Sequence, residues 1–293
     1  MKHTSVQILG FALLFTVAYA LLVEFTGLKA DFWETNFYEN LERAHLYLHG
    51  PHEPVIILGS SLSARLLPQY FAESGCDVGN LGLDGCKGLT GLQLLLQRRD
   101  LPEIVLLEEN TLFAKPDAND REVVEAINGF DFWLATKIPV LQPQTRPSSI
   151  FYSLIKEKRD QRIFIAGPQG TSPATPTPTA IATNAAASSQ KVTDTEKQVE
   201  DLIAELQRRG VKIGLFQLPA GENIPRSNQA SMIPARDLSQ TLGLLPINLD
   251  AEMVRQNLPI IYTDGHHLAT PSARGACTIL AAWVRHRLQS QHE

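Results

Sequence analysis

The sequence predicts an α/β fold: a mostly parallel five-stranded sheet in a three-layer α/β/α sandwich, preceded by an N-terminal transmembrane helix. Three observations lead there. Residues 54–59, 77–80, 103–108, 211–217 and 246–249 are short apolar runs without polar alternation, the pattern of parallel strands buried on both faces. Helical segments at 62–73, 87–99, 120–135, 193–209, 235–242 and 271–288 interleave with them, as strand-helix-strand connections require. An uncharged apolar stretch lies near the start of the chain. With 293 residues, 44% of them hydrophobic and 19% charged, there is material for a large core.

Residues 5–23 carry no charge and match the roughly 20 residues that a helix needs to cross a bilayer. Lys2 precedes them, while Glu24, Asp31 and Glu34 follow with only Lys29 between. That bias keeps the N-terminus cytoplasmic and sends the remainder to the extracytoplasmic side, periplasmic or cell-surface. Ala18-Tyr19-Ala20 also fits a small-residue cleavage site, so residues 1–30 satisfy both a retained signal anchor and a removable signal peptide. Residues 31–52 follow as an amphipathic connector. Its His45 and His49 would share a helical face with His52 nearby, but no carboxylate or cysteine stands beside them, and they are expected to be surface histidines.

Residues 53–293 form the main domain. The final helix is well specified: Thr270 can cap it, Pro271 sits where the first helical N–H lacks a partner anyway, and Ala276, Ile279, Leu280, Trp283 and Val284 make one apolar stripe. Residues 167–190 are dominated by Pro, Thr, Ser, Ala and Gly, and are expected to be a flexible insertion at the surface of one domain. Before it, Phe130, Phe132, Trp133, Phe151 and Tyr152 lie among several prolines; packing in a satellite cluster, an acyl or glycan pocket, and contact with the membrane all fit this composition.

The net charge of −5 and pI near 5.9 leave no basic footprint, which excludes nucleic acid as a partner class. Cys76, Cys86 and Cys277 have neither zinc-ligand spacing nor a Cys-x-x-Cys motif, so no metal centre is expected. A Cys76–Cys86 disulfide and free buried thiols both remain open.

The chemistry concentrates at strand ends. A serine hydroxyl becomes nucleophilic only when a base takes its proton, and the base needs an acid to fix its tautomer. Ser61 follows the first strand directly and opens a helix, which would expose its hydroxyl at the carboxyl edge of the sheet beside unpaired helix N–H groups. Asp264 and His267 lie three positions apart in the loop before the last helix, close enough for one turn to join carboxylate and imidazole. Asn80-Leu81-Gly82-Leu83-Asp84-Gly85 follows the second strand, where glycines let a backbone N–H approach a substrate oxygen. Glu108-Glu109-Asn110 ends the third strand, and the Asn110 side chain can supply a further donor.

Taken together, these residues resemble the SGNH (GDSL-type) serine hydrolases. Gly59-Ser60-Ser61-Leu62-Ser63 is similar to the family's Gly-Asp-Ser-Leu-Ser block, Asn80 to Gly85 to its Asn-x-Gly-x-x-Gly block, and Asp264 with His267 and Leu268 to its Asp-x-x-His block. The Gly-x-Asn-Asp block is matched only at Asn110. The resemblance implies a flavodoxin-like SGNH hydrolase fold with Ser61 as nucleophile, His267 as base and Asp264 as its orienter. Ser61, Gly85 and Asn110 would form the oxyanion hole, and no cofactor is called for. Ser60 stands where the family has Asp, and Glu108 and Thr111 where it has Gly and Asp; Glu108 sets an anion beside the expected oxyanion donors. Gly-Ser-Ser starts occur in membrane-anchored relatives that work beside membrane-bound O-acyltransferases, the DltD-like and alginate-acetylation proteins. That likeness implies an esterase or acyltransferase acting on acyl esters of cell-envelope polysaccharide, with a membrane-bound O-acyltransferase as a partner. A non-catalytic glycan- or acyltransferase-binding protein and a secreted lipase or carboxylesterase are the alternatives.

Overall fold

The computed structural model of the chain describes residues 2–31, 33–166, 194–219 and 242–289. Five strands, β1 Val55–Gly59, β2 Gly79–Gly82, β3 Ile104–Glu108, β4 Lys212–Phe216 and β5 Leu245–Ile247, form one sheet in the order β2-β1-β3-β4-β5. Every pairing is parallel. The order reverses at β1, and crevices at the carboxyl edge beside such a switch point collect ligands in open α/β sheets.

Helices follow in chain order: α1 Lys2–Thr26, α2 Asn36–His49, α3 Ser61–Ala64, α4 Pro68–Ala72, α5 Gly88–Leu95, α6 Ala118–Ile127, α7 Phe130–Ala135, α8 Pro147–Ala166, α9 Asp194–Arg208, α10 Leu249–Arg255 and α11 Thr270–Gln289. Alternation along each strand divides the core. Val55, Ile57, Ile104, Leu106 and Phe216 join Ala276, Leu280 and Val284 of α11 in one buried cluster. On the other face, a Cβ placed on Gly91 of α5 would come within 2.9 Å of the Leu58 side chain, and α9 buries Val199, Ile203 and Leu206. Helices therefore cover both faces, which explains why the strands read as continuous apolar runs.

By contact density the chain falls into two compact units, Met1–His45 with Glu122–Gln169, and Leu46–Arg121 with Gly170–Glu293. The sheet and all the residues singled out for chemistry belong to the second. The first contains α1, the one helix among the described residues that is long and apolar enough, over Val6–Thr26, to cross a membrane. Val23 and Ala30 pack there against Ile150, and Ala30 N–H donates to Gln144 O at 2.7 Å.

Several elements differ from the sequence expectation for local reasons. The helix expected at 62–73 is two short ones, because Pro68 forces Leu67 into the extended region (ψ 143°). The helix expected at 120–135 breaks at Asn128-Gly129, with Gly129 extended (ψ 159°). His45 is buried and meets the Phe132 ring edge-on at 5.7 Å, which corrects its expected surface position. Helix α8 and the seven-residue α10, capped by Asn248 accepting from Ala251 N–H at 3.0 Å, were not expected. The insertion expected at 167–190 and residues 235–241 of an expected helix lie outside the described residues.

Candidate active site

The site begins with how the chain leaves β1. Ser60 is the N-cap of α3, and its Oγ accepts from Leu62 N–H at 3.3 Å. Ser63 N–H donates to Glu108 at 3.2 Å, and Ala64 N–H reaches Ser60 O at 3.0 Å. Of the first-turn donors, the Ser61 N–H is the one left over among the described residues, as helix geometry leaves initial N–H groups without intrahelical partners. It lies on the same residue as the hydroxyl that the turn exposes.

His267 Nε2 stands 3.0 Å from Ser61 Oγ, and His267 Nδ1 stands 2.7 Å from Asp264 Oδ2. A carboxylate can only accept, so Nδ1 carries the hydrogen and Nε2 is left to accept from the serine. Asp264 is itself fixed by its own loop: its Oδ1 accepts from the backbone N–H of His267 at 2.9 Å and of His266 at 3.3 Å. Partial burial pulls the Asp264 carboxyl upward, but these hydrogen bonds and the His267 ring outweigh it and hold the group well below the ordinary range. The loop is pinned to α11 by Ile261 N–H donating to Ser272 Oγ at 2.8 Å, and to itself by the Tyr262–Leu268 bridge. The His266 ring lies beside that of His267, centroids 4.0 Å apart. Asp264, His266 and His267 bring potential metal-ligand atoms within 4.8 Å of one another. Both His267 nitrogens are committed to Ser61 and Asp264, however, so metal ligation there would compete with the serine relay.

Glu108 is engaged by the serine turn. It is fully buried beneath the serine turn, where Ser60 N–H donates to Oε2 at 2.8 Å and Ser60 Oγ–H to the carboxylate at 2.9–3.0 Å. Burial pushes its carboxyl above the ordinary value, and the bonds from Ser60 and Ser63 pull it partly back. A Cβ on Gly59 would meet Glu108 Oε2 at 2.4 Å, so glycine before the two serines is what lets this carboxylate close on the turn.

The loop after β2 is built in the same way. Asn80 Nδ2 donates to Ser63 O at 3.0 Å and Leu66 O at 2.8 Å, while its Oδ1 accepts from Gly82 N–H at 2.7 Å. This ties the loop to the end of α3. Gly85 adopts φ +74°, the left-handed region that favours glycine. The loop's far end rests on Asp120, a residue that sequence reasoning passed over. Asp120 is buried and accepts from Lys87 N–H and Asp117 N–H, both at 2.8 Å. A cue was available only in hindsight, as an acid in the first turn of a helix. Cys76, Cys86 and Cys277 are buried thiols outside any disulfide; burial first, then the neighbouring Asp120 and Asp117, push the Cys86 thiol up to about 12. Hydrogen bonds rather than a disulfide therefore brace the turn at Gly85.

Asn110 is buried and engaged. Its Nδ2 donates to Leu218 O at 3.0 Å and its Oδ1 accepts from Leu218 N–H at 2.8 Å, joining the ends of β3 and β4. Its structural work was not visible in the sequence, and the bond to Leu218 O uses one of its two Nδ2 hydrogens. A cavity of about 610 Å³ lined by Arg99, Glu103, Arg209 and Val211 lies by the amino ends of β3 and β4, at the opposite edge of the sheet from Ser61. Neither protein-family models nor curated proteins give a match to this chain.

Proposed function

We propose that the chain is a membrane-anchored, extracytoplasmic serine esterase or O-acyltransferase of SGNH type, acting on acyl esters, acetyl above all, of cell-envelope or exported polysaccharide. The observation that carries this reading is the continuous hydrogen-bonded run from Ser61 Oγ through His267 to Asp264. Its placement at the carboxyl edge of an all-parallel sheet supports the three-layer, flavodoxin-like arrangement of that family.

In this reaction Ser61 Oγ attacks the ester carbonyl as its proton passes to His267 Nε2. Asp264 stabilises the imidazolium. The Ser61 and Gly85 amides, with the remaining Nδ2 hydrogen of Asn110, take the charge of the tetrahedral oxyanion. His267 then returns the proton to the departing alkoxide, leaving acyl-Ser61 and a free alcohol. Water or a glycan hydroxyl next attacks the acyl-enzyme with His267 as base, releasing acid or a new ester and restoring the serine. The apolar α1 supports a membrane tether, with a membrane-bound O-acyltransferase as the fitting source of acyl groups.

The test is labelling by a fluorophosphonate, which reacts only with an activated serine. The full chain is expected to label at Ser61, and Ser61→Ala to abolish the signal; labelling that persists in the variant removes Ser61 from the role. The Asn110–Leu218 clamp favours one second reading, a non-catalytic glycan- or acyltransferase-binding partner on the same fold. Full biological activity in a Ser61→Ala, His267→Ala double variant would decide for it.

A further inference from the structure

Outside α1, ten large apolar side chains are exposed among the described residues, and eight of them fall between residues 130 and 155. Isolated exposed apolar residues are ordinary, whereas such concentration marks a contact surface. Phe130 (69% exposed), Trp133 (53%), Phe151 (65%), Tyr152 (38%), Leu154 (48%) and Ile155 (52%) dominate it. All belong to the unit that contains α1.

Its position relative to α1 identifies the occupant. The Tyr19 hydroxyl donates to Thr145 O, and Ala30 N–H to Gln144 O at 2.7 Å. Val23, Ala30 and Ile150 share a buried cluster against which Tyr19, Leu28 and Val140 pack. The 139–150 segment is thus bound to the last two turns of α1 and to the chain just beyond. Val6–Thr26 is 21 residues, about 31 Å at 1.5 Å per residue, the thickness of a hydrocarbon core. Tyr19 lies seven residues, about 10 Å, inside the Thr26 end. With Val6–Thr26 spanning a bilayer, Thr145, bonded to Tyr19, would lie at or below the boundary, and the exposed aromatic segments adjoin it in sequence on both sides.

We propose that the exposed apolar side chains of α7 and of the first turns of α8 together make a bilayer-contacting platform, seated at the boundary between headgroups and acyl chains beside α1. The inference rests on α1 spanning the membrane, as in the function proposed above. Its chemistry fits lipid: Trp and Tyr favour the interface, where an apolar ring and a polar edge are both satisfied. Lys137 is exposed between α7 and α8, a cation beside Trp133 in sequence that suits an anionic headgroup.

The full chain in phosphatidylethanolamine–phosphatidylglycerol vesicles tests this with a nitroxide at single introduced cysteines, the three native thiols being buried and the unsubstituted chain serving as blank. Labels at Trp133→Cys and Phe151→Cys are expected to collide with oxygen, which concentrates in lipid, more than with a water-soluble nickel chelate. A label at Leu14→Cys should do so more strongly, and one at Asp201→Cys on α9 should show the reverse. If 133 and 151 behave like 201 while 14 is in lipid, the platform is overturned and the anchor stands. If 14 is also aqueous, the anchor reading fails and the platform with it. Shielding of 133 and 151 from both reagents would mark a contact between copies of the chain and overturn the lipid assignment.

Discussion

Glu108 grips Ser60 twice, accepting from its backbone N–H at 2.8 Å and its hydroxyl at 2.9 Å. This contact joins two of the three positions at which the sequence departs from the SGNH pattern it resembles, the third being Thr111. Where the family has an acid in the serine turn and glycine on the neighbouring strand, this chain has Ser60 in the turn and Glu108 on β3. On the SGNH reading proposed above, a carboxylate on β3 takes the place of one in the serine turn, and the two residues are expected to compensate one another.

An aspartate at position 60 would therefore set a second carboxylate against Glu108. Ser60→Asp is expected to lower both thermal midpoint and esterase rate, and Ser60→Asp with Glu108→Gly to recover much of both. Residues coupled this closely deviate from additivity by about 0.5–3 kcal/mol. A double-mutant cycle measured by denaturant unfolding checks it; additive losses would show that the exchange is not compensatory.

The same pair sets a pH dependence. The Glu108 carboxyl is raised in the fold, burial being the main cause, so its contribution is full below the ordinary glutamate value and is lost as pH rises through the folded value. Glu108→Gln keeps an acceptor for the Ser60 and Ser63 amides and removes the titration. The midpoint of Glu108→Gln relative to wild type is expected to rise between pH 4 and pH 8 in thermal melts. Asp264, held low, has the opposite sign: its contribution is present above the ordinary aspartate value and is lost as pH falls below it. The deficit of Asp264→Asn should shrink toward pH 2. Differences flat with pH would contradict both assignments.

How much was legible can be read from particular residues. The strands were, since parallel burial leaves a signal in composition alone. The pairing of Asp264 with His267 was legible because a single turn spans their spacing, and Ser61 because a strand delivers it straight into a helix. The grip of Glu108 on Ser60 was not legible, because it depends on Gly59 being small enough to admit the carboxylate, a contact made across two strands. Asp120 and the Asn110–Leu218 clamp were missed for the same reason: each joins segments distant in the chain, and nothing local announces it. Pro68 did announce the break after α3, though the apolar spacing around it argued for a longer helix.

Ser61, His267 and Asp264 act as a unit in the proposed reaction, so their removal should not be additive. Ser61→Ala and His267→Ala are each expected to reduce kcat on p-nitrophenyl acetate by about 10⁴- to 10⁶-fold, and the double variant hardly further. Asp264→Asn should lose less than or about as much as either, roughly 10⁴-fold, through the wrong imidazole tautomer. Losses that multiply in the double variant would mean that the two residues act independently and that the relay is not the catalytic unit.

Asn110 separates an oxyanion donor from a structural tie. A residue that only polarises the oxyanion would, on replacement by Ala, cost about 10²- to 10³-fold in kcat with an unchanged melting temperature. Asn110 also satisfies both backbone groups of Leu218, and each group left unpaired in a buried site costs about 1–3 kcal/mol. Asn110→Ala is therefore expected to lower kcat and the thermal midpoint together, the latter by several degrees. Asn110→Asp retains the acceptor for Leu218 N–H but sets a buried carboxylate oxygen against Leu218 O, so it should recover neither stability nor activity relative to Asn110→Ala. If Asn110→Ala melts like wild type, the clamp carries no weight in the fold; if it keeps full kcat, the oxyanion rests on the Ser61 and Gly85 amides alone.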